Sequence, residues 1–204
     1  MSPKPLSICV VDDDEAVRRS LGMLLLVHGY AVQIFESGEA FLAASHLHHE
    51  GCVILDFRMA GMNGLEVLSE LRIRQSAFAV IFLSGHSDIP AVVNAMQNGA
   101  FGWLEKPCND DALLRKVQQA LEHATLLAKI RTEKEVAEAL WRKLTPREKE
   151  ISRLVADGKT SKVIAKVLTT IDPRTVETHR ANAFSKLGLA NSNELDRFLR
   201  HYSL

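Results

Sequence analysis

Apolar and polar residues alternate along the first 125 positions in two rhythms. The runs Ser7–Val11, Ala31–Phe35, Cys52–Leu55, Ala79–Leu83 and Phe101–Leu104 are largely apolar, the pattern of strands covered on both faces. Between them lie the amphipathic stretches Glu15–His28, Gly38–Ser45, Leu65–Arg74, Ile89–Asn98 and one opening near Asp110, where apolar residues return every three or four positions. Gly29 and Gly99 follow two of these, and glycine ends a helix cheaply by turning left-handed. Strand and helix alternating in this way predict a parallel, doubly wound α/β sheet of five strands.

From Asn109 to Leu144 there is neither Gly nor Pro, and Leu113, Val117, Leu121, Ala124, Ile130, Ala137 and Trp141 recur at helical steps. One helix leaving the first domain as a linker fits this pattern; a flexible break near Arg131–Glu135 is the alternative. Then the texture changes. Thr145-Pro146-Arg147-Glu148 combines a cap residue, a proline at the first helical position and a glutamate at the third. That helix is expected to end at Gly158, a second to run over Ser161–Leu168, a third from Asp172-Pro173 to Gly188, and a last from a Ser192 cap through Phe198. The expected layout is an α/β domain over residues 1–124, a helical linker over 125–143, and an all-α helix-turn-helix domain over 144–204.

Charge sharpens this division. The chain has 25 Lys and Arg against 25 Asp and Glu, but residues 1–125 hold 9 against 15 and residues 126–204 hold 16 against 10. Net charges of −6 and +6 imply different partners, with the basic half suited to a polyanion. No apolar run approaches the roughly 20 residues of a membrane span. The start, Met1–Pro5, has no secretory pattern, so a cytoplasmic location is expected. Cys9, Cys52 and Cys108 have no metal-type spacing and are expected to be reduced thiols. His46, His48 and His49 fall in an expected loop without paired ligands and read as solvated.

Acidic residues at strand ends carry the chemistry of the first half. Asp12 and Asp13 follow the first strand, Asp56 the third, Ser84 the fourth and Lys106 the fifth. In a parallel sheet the carboxyl ends of the strands share one edge, where ligands bind. Three carboxylates crowded there repel one another unless a cation compensates, and oxygen ligands of this kind suit Mg²⁺. A carboxylate beside Mg²⁺ and a lysine is a plausible phosphoryl acceptor. Asp14 reads as a helix cap.

Val10-Val11-Asp12-Asp13, Leu55-Asp56-Phe57-Arg58-Met59, Gly61-Met62-Asn63-Gly64, Leu83-Ser84-Gly85-His86 and Glu105-Lys106-Pro107 resemble, in order and spacing, the receiver domain of two-component response regulators, a CheY-like flavodoxin fold. Leu144–Glu148, Lys162–Ala165 and Arg174–Arg180 resemble the LuxR-type helix-turn-helix, and the combination is similar to the FixJ branch. The resemblance implies a transcription regulator rather than an enzyme, with Asp56 phosphorylated by a sensor histidine kinase. It also implies Mg²⁺ held by Asp12, Asp13, Asp56 and the main-chain carbonyl of Arg58, with Ser84 and Lys106 on the phosphoryl oxygens. A cis Lys106–Pro107 peptide is implied, and Trp103 stands at the family's switch aromatic, although the same residue would serve as a core aromatic. Arg58 and His86 occupy positions that tune phosphate lifetime in receivers. The family usually has Pro where Ala60 stands, which implies a less rigid loop here.

In the second half, the helix from Pro173 is expected to enter the major groove of promoter DNA. Val176, Phe184 and Leu187, with Ala183, are spaced to face the core; Glu177, Thr178 and Ala181 occupy outward positions, which the resemblance implies read bases. Arg180, Lys186, Arg174 and Lys162 are expected on phosphates, and Thr175 is included in the DNA surface. The turn Thr169–Asp172 is one residue longer than the family pattern. Phosphorylation is expected to promote a homodimer, with RNA polymerase a further partner at the promoter. Two rival readings are a degenerate effector whose output is protein contact, and a constitutive DNA binder whose receiver does not switch. The basic residues of the third helix oppose the first, and the intact acceptor, metal and lysine positions oppose the second.

Overall fold

The computed structural model describes residues 7–44, 50–85, 89–169 and 171–204, and the chain divides into two compact units, residues 1–129 and 130–204. Unit one contains strands β1 (Ser7–Val11), β2 (Ala31–Phe35), β3 (Glu50–Asp56), β4 (Ala77–Ser84) and β5 (Gly102–Glu105). All are parallel, in the order β2-β1-β3-β4-β5. The intervening helices are α1 (Glu15–Val27), α2 (Gly38–Ala44), α3 (Gly64–Ile73), α4 (Ile89–Gln97) and α5 (Asp110–Arg142).

Side chains on a strand alternate between faces, and this period of two builds two cores. Cys9, Val11, Val53, Leu55, Val80 and Phe82 pack on one side with Phe41, Val67, Leu68 and Leu71 of α2 and α3. Ile8, Val10, Cys52, Ile54, Ile81 and Leu83 pack on the other with Leu21 and Leu25 of α1 and Leu113, Val117 and Leu121 of α5. Each buried aliphatic side chain contributes about 1.5–3 kcal/mol. The edge strand β2 departs from the expectation of two-sided cover: Ala31, Gln33 and Ile34 are exposed. β3 and β4 extend further than their apolar runs suggest because they pair along Glu50–Asp56 and Ala77–Leu83. The cysteines are free thiols, and burial pushes Cys9 up to about 12, well above any reactive range.

Asp14 caps α1 by accepting from the N–H groups of Ala16 and Val17. α5 is one helix of 33 residues with no break near Arg131–Glu135. It crosses the boundary between the two units. Ala137 and Trp141, expected in a linker, are buried, and Trp141 belongs to the core of unit two.

Unit two continues with α6 (Pro146–Ala156), α7 (Ser161–Leu168), α8 (Pro173–Leu187) and α9 (Ser192–Tyr202). Leu144, Ile151, Val155, Ile164, Val176, Ala183, Leu187, Leu195 and Leu199 form its core with Trp141. Thr145 and Glu148 form the reciprocal capping box, and Asp172 accepts from the Thr175 N–H ahead of Pro173. Gly188 ends α8 at φ +70°, a conformation that suits glycine. The cap of α9 is Asn191 rather than Ser192, which is the first helical residue instead. Among the described residues, no helix is long and apolar enough to cross a membrane.

Candidate functional site

Strand register brings the first site together. Val11 lies beside Leu55, so Asp12 and Asp56 leave neighbouring strands at the same level. β1 and β3 flank the point where the strand order reverses, the usual ligand crevice of a doubly wound sheet. Asp12 and Asp56 are buried, at 1% and 7% exposure. Asp12, Asp13 and Asp56 each offer a carboxylate oxygen within 4.8 Å of the others. An all-oxygen donor set of this compactness fits Mg²⁺.

Lys106 is the counter-charge. Its Nζ donates to Asp12 Oδ2 at 2.6 Å and to Asp56 Oδ1 at 2.9 Å. The Lys106 N–H donates to the Ser84 carbonyl at 2.8 Å, which anchors the lysine where β4 ends, and Lys106–Pro107 is cis, as the resemblance implies. Burial raises the Asp56 carboxyl above its ordinary range; the Lys106 hydrogen bond and charge pull it down, and the charges of Asp12 and Asp13 push it up again. Burial pulls Lys106 down, but its hydrogen bonds to Asp12 and Asp56 outweigh this and leave it raised. Ser84 is buried at the end of β4. Trp103 lies against Phe57 and Phe82, with ring centroids 4.8 and 5.6 Å away, and its indole N–H is buried without a partner among the described residues.

The loop after Asp56 carries tethers that the sequence did not reveal. The Ala60 N–H, which proline would lack, donates to Asp13 Oδ2 at 3.1 Å. Glu39 of α2 accepts from the Met62 N–H at 2.8 Å. Gly64 lies so close that a Cβ there would fall 2.7 Å from the Asp56 carbonyl and from Phe82. The loop expected to be looser for want of proline is therefore held by two carboxylates instead. Arg18 adds a donor to the Asp12 carbonyl at 2.7 Å. Arg58 is exposed in this loop; His86 and the histidines 46, 48 and 49 lie outside the described residues.

On α8, Glu177, Thr178, Ala181 and Arg174 are exposed, and Val176, Ala183 and Leu187 are buried. The Thr178 hydroxyl donates back to the Arg174 carbonyl at 3.1 Å. Thr175 is half-buried and donates its hydroxyl to Asp172, so it closes the helix cap. Arg180 stacks over Phe184, 5.2 Å from the ring. Lys162, Glu177 and Arg180 line a groove of about 550 Å³ with Lys159, Thr160 and Ser192. In the turn before α8, Thr169 is left-handed at φ +49°, while Thr170 lies outside the described residues.

Lys186 meets a partner within the protein. Expected on a phosphate, its ammonium instead donates to both oxygens of Glu148, at 2.9 and 2.7 Å. The reason is geometric. Nine residues at about 100° each place Lys186 half a turn round α8 from Glu177, so if Glu177 faces out, Lys186 faces in. That offset was legible, but its partner on α6 was not. Burial pushes Glu148 up, yet the Lys186 hydrogen bond and the Thr145 N–H outweigh it and hold the carboxyl below its ordinary range. A carboxyl lowered on folding contributes stability above its unfolded pKa, and loses it as pH falls through the folded value. Glu148→Gln is therefore expected to cost about 1–3 kcal/mol at neutral pH, less than a fully buried pair because Lys186 retains contact with water. The difference from the unsubstituted protein should shrink on acidification, as read by thermal unfolding; a difference independent of pH overturns this account.

Comparison with known proteins matches this geometry. Residues 8–118 match the response regulator receiver domain, and residues 142–199 match the bacterial regulatory proteins of the LuxR family. The transcriptional regulatory protein FixJ of Bradyrhizobium diazoefficiens is 38% identical over 190 residues, covering 93% of this chain and 92% of that protein. The tetrathionate response regulatory protein TtrR of Salmonella typhimurium is 37% identical over 191 residues, covering 94% and 90%. Among solved structures, response regulator StyR shares 34% identity with a TM-score of 0.77, covering 98% of this chain and all of that one. Full-length FixJ from B. japonicum shares 36% identity with a TM-score of 0.59, covering 98% of each. A clamped acidic crevice joined to a basic helix-turn-helix, over nearly the full length of such relatives, places this chain in the family of response regulators that control transcription through a LuxR-type DNA-binding domain.

Proposed function

We propose that Asp56 accepts a phosphoryl group from a sensor histidine kinase and that this controls promoter binding by α8. The carrying observation is the clamp: Asp56, Asp12 and Asp13 at the switch point of the sheet, with Lys106 bonded to two of them. Asp12, Asp13, Asp56 and the Arg58 carbonyl would hold Mg²⁺, which when bound neutralises charge on the transferring oxygens. An Asp56 carboxylate oxygen attacks phosphorus as the bond to the kinase's imidazole nitrogen breaks. Lys106 and Ser84 then bind the phosphoryl oxygens, and the Lys106 ammonium exchanges a carboxylate partner for one of them.

A shift in that pairing must reach the rest of the unit through contacts that differ between states. Trp103 is placed for this. Its indole N–H has no partner among the described residues, and a pose that satisfied it would gain roughly 1–3 kcal/mol. The helix α4 leaves Ile89, Val93 and Met96 exposed at helical spacing, a surface suited to a second copy on phosphorylation. A dimer suits paired half-sites about one turn of DNA apart. We assign residues 1–124 to the receiver, 125–143 to the helical link, whose Trp141 packs into the effector's core, and 144–204 to the effector. The protein would act in the cytoplasm, with RNA polymerase as the partner at the promoter.

On DNA, Glu177, Thr178 and Ala181 present themselves to bases, and Arg174, Arg180 and Lys162 to phosphates. Arg180→Ala is expected to weaken binding to any sequence and reduce the salt slope by about one. Glu177→Ala should relax preference at one base pair by roughly 1–3 kcal/mol. Mobility-shift titrations of the full chain, with beryllofluoride and Mg²⁺ and without, test both. Equal effects of the two substitutions on specific and nonspecific duplex would sink this placement of α8.

A further inference from the structure

A recognition helix must hold its rotation as well as its position, because a turn of a few tens of degrees carries side chains off their base edges. The apolar contacts of α8, through Val176, Ala183 and Leu187, are non-directional and tolerate such slippage. One polar contact does not. Glu148, 3% exposed, receives Lys186 on both carboxylate oxygens, and Lys186 stands on the side of α8 away from Glu177. The same carboxylate accepts the Thr145 N–H at 2.8 Å through Oε2, while the Thr145 hydroxyl accepts from the Glu148 N–H at 3.2 Å. Thr145 lies three residues beyond the end of α5, across a turn in which the Leu144 N–H bonds to the Trp141 carbonyl.

We infer that Glu148 is a positioning residue for base reading. By gripping Lys186 it sets the rotation of α8, and through Thr145 it refers that rotation to the end of the helix arriving from the receiver. A charge-assisted pair anchored in a buried carboxylate is short, directional and costly to break. The inference rests on α8 being the reading helix, as proposed above.

The test uses the full chain with beryllofluoride and Mg²⁺. A motif is first selected from a random-sequence duplex library by the unsubstituted protein, and affinity is then measured for that motif and for its shuffled duplex. Glu148→Gln and Lys186→Met, checked for folding by thermal unfolding, should bind shuffled duplex within about twofold of the unsubstituted chain. Both should lose about tenfold in the ratio of motif to shuffled affinity. The double substitution should lose no more than either alone, since all three break one bond, and Lys186→Arg should retain the ratio. Should Glu148→Gln fail to fold, Glu148→Asp, which withdraws the carboxylate by one methylene, is expected to show the same loss of ratio.

An unchanged ratio in folded variants overturns the inference. So does the pattern of a phosphate contact, in which Lys186→Met weakens shuffled duplex and lowers its salt slope by about one while Glu148→Gln frees the lysine and tightens binding. If the unsubstituted chain binds duplex but selects no motif, the base-reading role of α8 falls first and the inference with it. That failure is distinguishable because it appears before any substitution.

Discussion

Asp56→Asn should take up no phosphate from radiolabelled acetyl phosphate, while the unsubstituted protein is labelled in a Mg²⁺-dependent manner and loses labelling on chelation. The amide keeps the shape of the carboxyl but offers no anionic oxygen to attack phosphorus. Folding should survive. Burial already disfavours the ionised Asp56, and the charges of Asp12 and Asp13 add to that, so neutralising it removes a cost while Lys106 keeps Asp12 as a partner. Thermal unfolding is expected to place the variant within about 1 kcal/mol of the parent, or above it. Asp12 and Asp13 lie in the same crevice, so labelling of Asp56→Asn would mean that the acceptor has been misassigned among three neighbouring carboxylates. Labelling that persists without a divalent cation would remove the metal from the account.

Beryllofluoride with Mg²⁺ should convert monomers into dimers and change the emission of Trp103. The optical signal is measured in a Trp141→Phe background, because Trp141 is the only other tryptophan. Trp141 is buried in the core of unit two with Lys149 and Arg153 over its ring, so phenylalanine retains an aromatic face there. Trp103 touches Phe57, the residue after Asp56, and Phe82, two residues before Ser84, so movement at either strand end alters its surroundings. Sedimentation of the same sample reads association, and Val93→Asp on the exposed face of α4 should suppress it without abolishing the emission change. Emission change without association would retain the switch and discard the dimer. Silence in both signals, with Asp56 occupied, would leave the receiver no means of acting on the DNA-binding unit.

Much of this protein was written in short-range pattern. The strands β1 and β2 fall where the apolar runs begin and end. The caps Asp14, Thr145 and Asp172 act on residues two or three positions away, so their chemistry is visible in adjacent letters. The convergence of Asp12, Asp13, Asp56, Ser84 and Lys106 was legible for a different reason: in a parallel sheet every strand ends at the same edge, so topology converts strand-end positions into a site without knowledge of any contact. Other features depended on which surfaces meet. Nothing local shows that Lys106 divides itself between Asp12 and Asp56, or that the Ala60 N–H reaches Asp13. The exposure of β2 follows from its place at the sheet edge, because a run of apolar letters does not say whether a neighbour covers it. Lys186 is the clearest case. From sequence it was one of several basic residues on a helix expected to touch DNA, and helical phase alone hinted that it pointed inward. Its meaning was decided by Glu148, 38 residues earlier, because a buried carboxylate is tolerated only where a cation meets it, and only the packing of α8 against α6 brings that cation within reach.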